Sequence, residues 1–467
     1  MFMKIRRCKS LTRQTAISWL VCALGLGRFF FASATAGDWP QFLGPDGNAI
    51  SKETGILHSW PTNGPTRVWS KAVGTGYSAP SILGSQLVLH HRVGDQEIVQ
   101  SMEVATGRET WKHGYPTAYQ DPYGYNNGPR CTPLLTSNRC YTFGAEGRLV
   151  CLDRASGTRV WERDTAKDWQ IPQAFFGVGS TPILEGDRLL VMVGGQPNAG
   201  VVAVDAATGK TLWESVGEKN WAGLKKIGWR GEPIIQWQSW EKQASYASPV
   251  AATIHGRRHV LCLTRQGLVS VNPTNGAVQF SFWFRSQAND SVNAMNPIVM
   301  GDLILISGAY FRVGSVLLRV NPDGMGVEEV WRSTALEIHW MTPVLHNGFL
   351  YAFSGRNEPD ARLRCVEMKT GKIQWDRDES WAPHSAEQPP VFGRGSFLMV
   401  DGHLIGLGEG GMLGLFKANP DALHEVRRFQ VPDLHYPCWA APTLSSGRLF
   451  LRNERRLVVY DLARVAP

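Results

Sequence analysis

Short apolar runs such as Leu149–Leu152, Leu189–Val193 and Leu303–Ile306 recur along the chain, separated by turns rich in Gly, Asn and Asp. Runs this short, punctuated this often, predict β-strands joined by hairpins. The turns follow a frame, clearest at Ala203-Val-Asp205-Ala-Ala-Thr208-Gly209-Lys-Thr-Leu-Trp213. It returns at Ser101 to Trp111, at Cys151 to Trp161 and at Cys365 to Trp375, and in decayed form at Ser270 to Phe280. Two further copies carry a Pro in the turn, Asn321-Pro322 leading to Trp331 and Asn419-Pro420 leading to Phe429. Successive terminal aromatics lie 42 to 67 residues apart, the length of one four-stranded propeller blade.

Each slot of the frame has a physical reason. The Asp, Glu or Asn folds back onto the turn, and the Gly supplies positive φ. The aromatic (Trp69, Trp111, Trp161, Trp213, Phe280, Trp331 or Trp375) lies on an outer strand and covers the neighbouring blade. The slot ten residues before it is small, so that the ring can dock. Cys151 and Cys365 are then packing residues.

A second period sets the phase. A small or polar residue followed by Pro opens each innermost strand, at Pro80, Pro133, Pro182, Pro249, Pro297, Pro343 and Pro442, with Gln388-Pro389 an irregular eighth. Pro tolerates a strand's first position. The last blade has three strands at the C-terminus, and Thr66-Arg67-Val68-Trp69 supplies the missing outer one. The prediction is an all-β, single propeller of eight four-stranded blades over residues 66–465, preceded by an N-terminal extension, 37–65. Seven blades result if 395–429, the least regular copy, is not a separate sheet.

The frame A-x-D-x-x-T-G-x-x-x-W resembles the tryptophan-docking motif of pyrroloquinoline quinone (PQQ) repeat propellers. That resemblance implies the fold. It leaves two functions open, because the superfamily holds both periplasmic quinoprotein alcohol dehydrogenases and the non-catalytic lipoprotein propeller of the outer-membrane barrel-assembly machinery. The opening Asp38-Trp39-Pro40-Gln41-Phe42-Leu43-Gly44-Pro45 resembles the start of exported PQQ-like proteins common in planctomycetes, whose role is generally unassigned.

Charge narrows the field less than its total suggests. The formal net charge is +8, but residues 1–36 hold six basic residues and no acidic one; without them 42 basic residues face 40 acidic ones. No basic stripe remains, so nucleic acid is excluded as a partner. The same segment reads as a signal peptide: a basic start, an apolar core Ala16–Gly27 and Ala34-Thr35-Ala36 before Gly37. Arg6-Arg7 is a poor twin-arginine motif, and Sec export stands beside it as the other route. The expectation is a periplasmic or cell-envelope protein, a monomer with no transmembrane span after cleavage. The six remaining Cys form no C-x-x-C pair, which gives zinc or thioredoxin-like chemistry no support. Cys140 and Cys151 flank one hairpin turn, and whether they pair is open. His90-His91 lie in a strand, so their rings point to opposite faces.

Candidate chemistry collects where the inner strands begin. Tyr77, Arg130, Ser180, Tyr246, Asn293, His339, Trp340 and Trp439 precede those strands and should ring one mouth of the channel. Together they suit a small anionic or planar ligand or a peptide; the alternative is that they fill the narrow end and satisfy the strand starts. The alcohol-dehydrogenase resemblance implies PQQ between a Trp and a vicinal disulfide, with Ca²⁺ held by carboxylate and amide oxygens and an Asp base. The chain has no adjacent Cys pair, and Asn293 with Asn296 would be weak ligands alone. No catalytic residue, metal or cofactor is therefore expected, and PQQ with Ca²⁺ belongs to the alternative reading. Two rim insertions complete the picture: Tyr115–Arg130, with four Tyr, and Glu214–Tyr246, with Trp221, Trp229, Trp237 and Trp240. Such loops either recognise a partner (envelope protein, peptide or polysaccharide) or fold their rings under themselves. The expected function is a non-catalytic binding or assembly scaffold; the alternative is a PQQ-dependent oxidoreductase.

Overall fold

The computed structural model describes residues 37–171, 176–195, 197–217, 226–227, 235–236, 245–286, 291–382 and 390–463. Among them, the strands form eight four-stranded antiparallel sheets, each in meander order. Blades 1 to 4 run from Ser81–Leu83 to Glu109–Pro116, Leu134–Leu135 to Arg159–Asp164, Ile183–Glu185 to Thr211–Ser215, and Val250–Ile254 to Val278–Trp283. Blades 5 to 7 run from Ile298–Met300 to Val327–Ser333, Val344–His346 to Ile373–Asp378, and Gly395–Val400 to His424–Gln430. Blade 8 joins Thr443–Ser445, Arg448–Arg452 and Arg456–Asp461 to Thr66–Ala72, paired from Thr66↔Asp461 to Ala72↔Arg456. The chain is an eight-bladed β-propeller closed by its N-terminal strand, and the seven-blade count falls because Gly395–Val400 opens a sheet of its own.

The aromatic frame is the inter-blade joint. The indole N–H of Trp69, Trp111, Trp161, Trp213, Trp331 and Trp375 donates to a backbone carbonyl of the next blade: Val104, Arg154, Ala206, Pro273, Met368 and Asn419, at 2.9–3.1 Å. Except for Asn419, which is itself the frame Asn, each acceptor directly follows the Asp, Glu or Asn of that blade's frame. The frame Gly has a second duty beyond its positive φ: the incoming ring lies on it. A methyl on Gly209 would stand 2.8 Å from Trp161, and one on Gly276 2.5 Å from Trp213. The small slot is opposite the ring as expected, with Trp111↔Ser101, Trp161↔Cys151, Trp213↔Ala203 and Trp375↔Cys365 in register. Phe280, lacking a donor, is buried in the core shared by blades 4 and 5.

At blade 8 the frame is split between the termini. Asp461 comes from one end, and Gly64, at φ 81°, lies against the ring of Phe429 from the other. Trp60 meets the same ring edge-on at 6.2 Å.

The residues before six of the inner-strand Pro build a belt around the channel. Ala79 N–H donates to Thr132 Oγ1, Thr132 N–H to Thr181 Oγ1, Thr181 N–H to Ser248 Oγ, Ser248 N–H to Asn296 Oδ1 and Asn296 N–H to Thr342 Oγ1, at 2.7–3.2 Å. The five accepting slots, Thr132, Thr181, Ser248, Asn296 and Thr342, are Thr, Ser or Asn because each takes a bond from its neighbour while buried. Gln388 and Pro389 lie outside the described residues, and blade 7 opens later, at Gly395 after Arg394.

Inner strands present unpaired edges to the channel, and the segment 37–65 covers some of them. Trp39 bridges Ile82 of blade 1, Pro40 O accepts from Leu135 N–H of blade 2, and Ile50 bridges Met399 of blade 7. Leu43 and Ala49 join the core of blades 5 to 7. The extension thus crosses the channel. Residues 1–36, with the expected signal peptide, lie outside the described residues, and no described helix is long and apolar enough to cross a membrane.

Candidate functional site

The segments that start the inner strands enclose a cavity of about 400 Å³ at one mouth of the channel. Tyr77, Arg130, Tyr246, His339, Trp340 and Trp439 line it together. Asn293 does not: its amide N–H groups donate to Thr264 O and Phe284 O, and its own carbonyl accepts from Tyr246 N–H. It holds the strand start behind the cavity, so its place in the ligand set is corrected. Ser180 is buried beside the belt.

Rings dominate the wall. Trp439 lies 5.0 Å from Tyr77, 5.3 Å from Trp340 and 5.8 Å from both Tyr125 and Tyr436. Phe176 continues the wall between Tyr125 and Tyr246 at 5.9 and 5.6 Å. Phe42 and Leu43 of the crossing extension close it. The buried indole N–H of Trp340 has no hydrogen-bond partner among the described residues.

The ionisable groups here are turned toward one another. Arg394 is sandwiched over Trp340 and Trp439 at 4.6 and 5.6 Å, and its guanidinium grips Glu409 at 2.8 Å as well as Glu358. Glu409 also accepts from Trp439 Nε1 at 3.0 Å and from Arg394 N–H at 2.8 Å. Burial alone would lower the Arg394 pKa, but the Glu409 carboxylate holds it raised. Arg394 also donates to His339 Nδ1 at 3.1 Å, which leaves the ring proton on Nε2 facing Tyr310 OH at 3.4 Å. Burial, then Arg394 and Arg356, pulls His339 down to about 3, so the ring is neutral. Burial and then the Glu358 carboxylate raise Tyr436, whose hydroxyl donates to Glu358 at 3.0 Å. Arg130 pairs with the fully buried Asp121 at 2.8 Å and stacks over Tyr77 at 5.6 Å.

The insertion Tyr115–Arg130 is divided between folded-under and exposed rings. Tyr119 and the Asp121–Arg130 pair fold beneath it, while Tyr123 and Tyr125 remain 52% and 54% exposed at the mouth. Trp221, Trp229, Trp237 and Trp240 lie outside the described residues; only a short ladder, Lys226–Ile227 with Ile235–Gln236, is described there. All six Cys of the propeller are buried and free. Cys140 and Cys151 do not face each other, since Cys140 opposes Leu152 and Tyr141 opposes Cys151. His90 and His91 make separate contacts, to Tyr115 OH and to Gly74 N–H. Among the described residues no group of three His, Cys, Asp or Glu is arranged to hold a metal.

Sequence reasoning missed Phe42, Leu43, Phe176, Arg356, Arg394 and Tyr436. One was within reach. The turn Val400-Asp401-Gly402-His403 matches those of the other blades, and counting back from it places Arg394 just before an inner strand.

A family model described as outer membrane protein assembly factor BamB matches residues 95–377. No curated protein sequence matches the chain. Among solved structures, BamB from Moraxella catarrhalis is similar with a TM-score of 0.55 and 13% identity, over 85% of this chain and 99% of that one. Quinohemoprotein alcohol dehydrogenase from Comamonas testosteroni is similar with a TM-score of 0.61 and 13% identity, over 93% and 82%. A europium-containing methanol dehydrogenase has a TM-score of 0.52 at 12% identity, over 89% and 90%. At such identities the likeness is one of fold.

Proposed function

The chain belongs to the family of outer membrane protein assembly factor BamB, and from that premise we propose that it is a non-catalytic binding or assembly scaffold of the cell envelope. Its partner, a protein or peptide, seats against the aromatic funnel mouth. One observation carries the reading: apart from Arg356, the charges lining that mouth are spent on partners, while the rings face the opening. Arg394 neutralises Glu409 and Glu358, Arg130 is held by Asp121, and His339 accepts from Arg394. Among the described residues lining the mouth, the one carboxylate, Glu358, is held by Arg394 rather than presented as a base. Aromatic side chains on a rigid ring offer what partner recognition uses.

The alternative requires a Ca²⁺ site beside PQQ, and these residues do not fit one. Asn293 and Asn296 are engaged at strand starts, and Glu358 and Glu409 are gripped by Arg394. Purified protein supplied with PQQ and Ca²⁺ should show no dye-coupled alcohol oxidation. Stoichiometric PQQ uptake with turnover, lost in Arg130→Ala or Trp439→Ala, would reverse the proposal. A photo-crosslinking residue in place of Tyr125 should capture an envelope protein in cells, with capture abolished by Trp439→Ala.

A further inference from the structure

A second cavity of about 400 Å³ opens between blades 5 and 6, lined by Phe311, Arg312, Glu337, Arg356 and Arg364. Three features set it apart. Phe311 and Arg312 both stand in the left-handed region, at φ 50° and 59°, which L-residues other than Gly and Asn enter at a cost. That backbone holds the Phe311 ring 51% exposed, where burial cannot repay the strain. Strain kept at an exposed ring points to use.

The cations are the second feature. The Arg356 guanidinium stacks on Tyr310 and Phe311 at 4.4 and 4.8 Å and has no ion pair among the described residues. Arg312 is 75% exposed, with Glu337 its closest carboxylate at 3.8 Å. Arg364, by contrast, is satisfied by Asp376 at 3.1 Å. Third, Glu337 Oε1 is buried and has no hydrogen-bond partner among the described residues. A buried acceptor without a donor is costly unless something supplies one.

We propose that this cavity binds a uronic-acid unit of an anionic polysaccharide. The carboxylate is taken by Arg356 and Arg312, the sugar's C–H face lies on Phe311, and a ring hydroxyl donates to Glu337 Oε1. A sugar acid carries all three partners on one rigid ring. A peptide fits less well: it docks by adding a strand to a sheet edge or by seating side chains in apolar pockets. Here the lining is mostly polar, with Phe311 its one large apolar side chain. The site shares Arg356 with the funnel wall, but Phe311, Arg312 and Glu337 take no part in the funnel contacts of the proposed scaffold, and the proposal does not depend on those contacts.

The test is calorimetric titration of the full chain with oligogalacturonate, neutral galactan and poly-glutamate. Oligogalacturonate should bind and the other two should not. Arg312→Ala should weaken binding about tenfold, the share of one charge-assisted contact. Phe311→Asn should weaken it similarly while raising Tm by about 2 °C, because Asn accepts the left-handed backbone. Trp439→Ala should leave the affinity unchanged, which separates this site from the funnel. Absence of binding, equal binding of poly-glutamate, or Phe311→Asn that binds as wild type would each overturn the proposal.

Discussion

Substituting Gly209 by Ala probes the inter-blade joint directly. Gly209 sits at φ 72°, and its missing methyl would stand 2.8 Å from Trp161, a ring only 9% exposed. Two costs combine. Left-handed backbone costs an L-residue about 1–2 kcal/mol, and forcing a methyl into a packed contact adds about 1–3 kcal/mol. Gly84 isolates the first, because at φ 62° it has nothing within 4 Å of the added carbon. Gly84→Ala should therefore cost about 1–2 kcal/mol and Gly209→Ala about 2–5. For a body of this size about 1 kcal/mol corresponds to about 1 °C in Tm, a difference resolved by scanning fluorimetry. The decisive arm is the double mutant. Trp161→Ala alone should cost about 3–5 kcal/mol. In that background Gly209→Ala should shrink to the Gly84 value, a coupling of about 1–3 kcal/mol. Equal losses for Gly84→Ala and Gly209→Ala, or a Gly209→Ala penalty unchanged by Trp161→Ala, would refute the idea that the glycine is a seat for the ring.

Trp161→Phe keeps the ring but deletes the donor to Ala206 O; because Tyr141 OH also donates there, the loss should be only about 0.5–1.5 kcal/mol in denaturant unfolding. Arg394→Met leaves Glu409 buried without its cation and should cost about 3–5 kcal/mol, most of it recovered in Arg394→Met/Glu409→Leu. His339 and His91 are both depressed from 6.5 to about 3, so the stability they contribute is complete above pH 6.5 and drains as pH falls toward 3. Each adds a slope of up to about 1.4 kcal/mol per pH unit, and Tm measured against pH should flatten in His339→Gln. Removing residues up to Ala72 uncovers the Arg456–Asp461 edge and should produce concentration-dependent oligomers in light scattering.

The ring and its joints were legible because their rules are local. The Asp, the Gly and the Trp of each frame lie within one hairpin, so the spacing that docks Trp213 is written in consecutive residues. Closure was legible for a related reason: one blade lacked a strand, and one strand lacked a blade. The funnel was half legible. Position before an inner strand identified Trp439 and His339, but whether a side chain there turns into the cavity or back into the wall depends on neighbours far away in sequence. Asn293 turns back because Thr264 and Phe284 offer carbonyls behind it. Phe42 and Leu43 could not be found by the repeat at all, since the extension that carries them belongs to no blade.

The split last blade also has a meaning in time. Thr66–Ala72 is synthesised before blades 1 to 7, and its partner Arg456–Asp461 after them. The indole joints of Trp69 to Trp375 form between neighbours along the chain, but this pairing waits for all seven intervening blades, and contacts so distant in sequence are slow to form. Until then Thr66–Ala72 has no sheet to join. A circular permutant that joins Asp461 to Thr66 through a short linker and opens between two intact blades would turn this contact into a hairpin and should shorten the final folding phase.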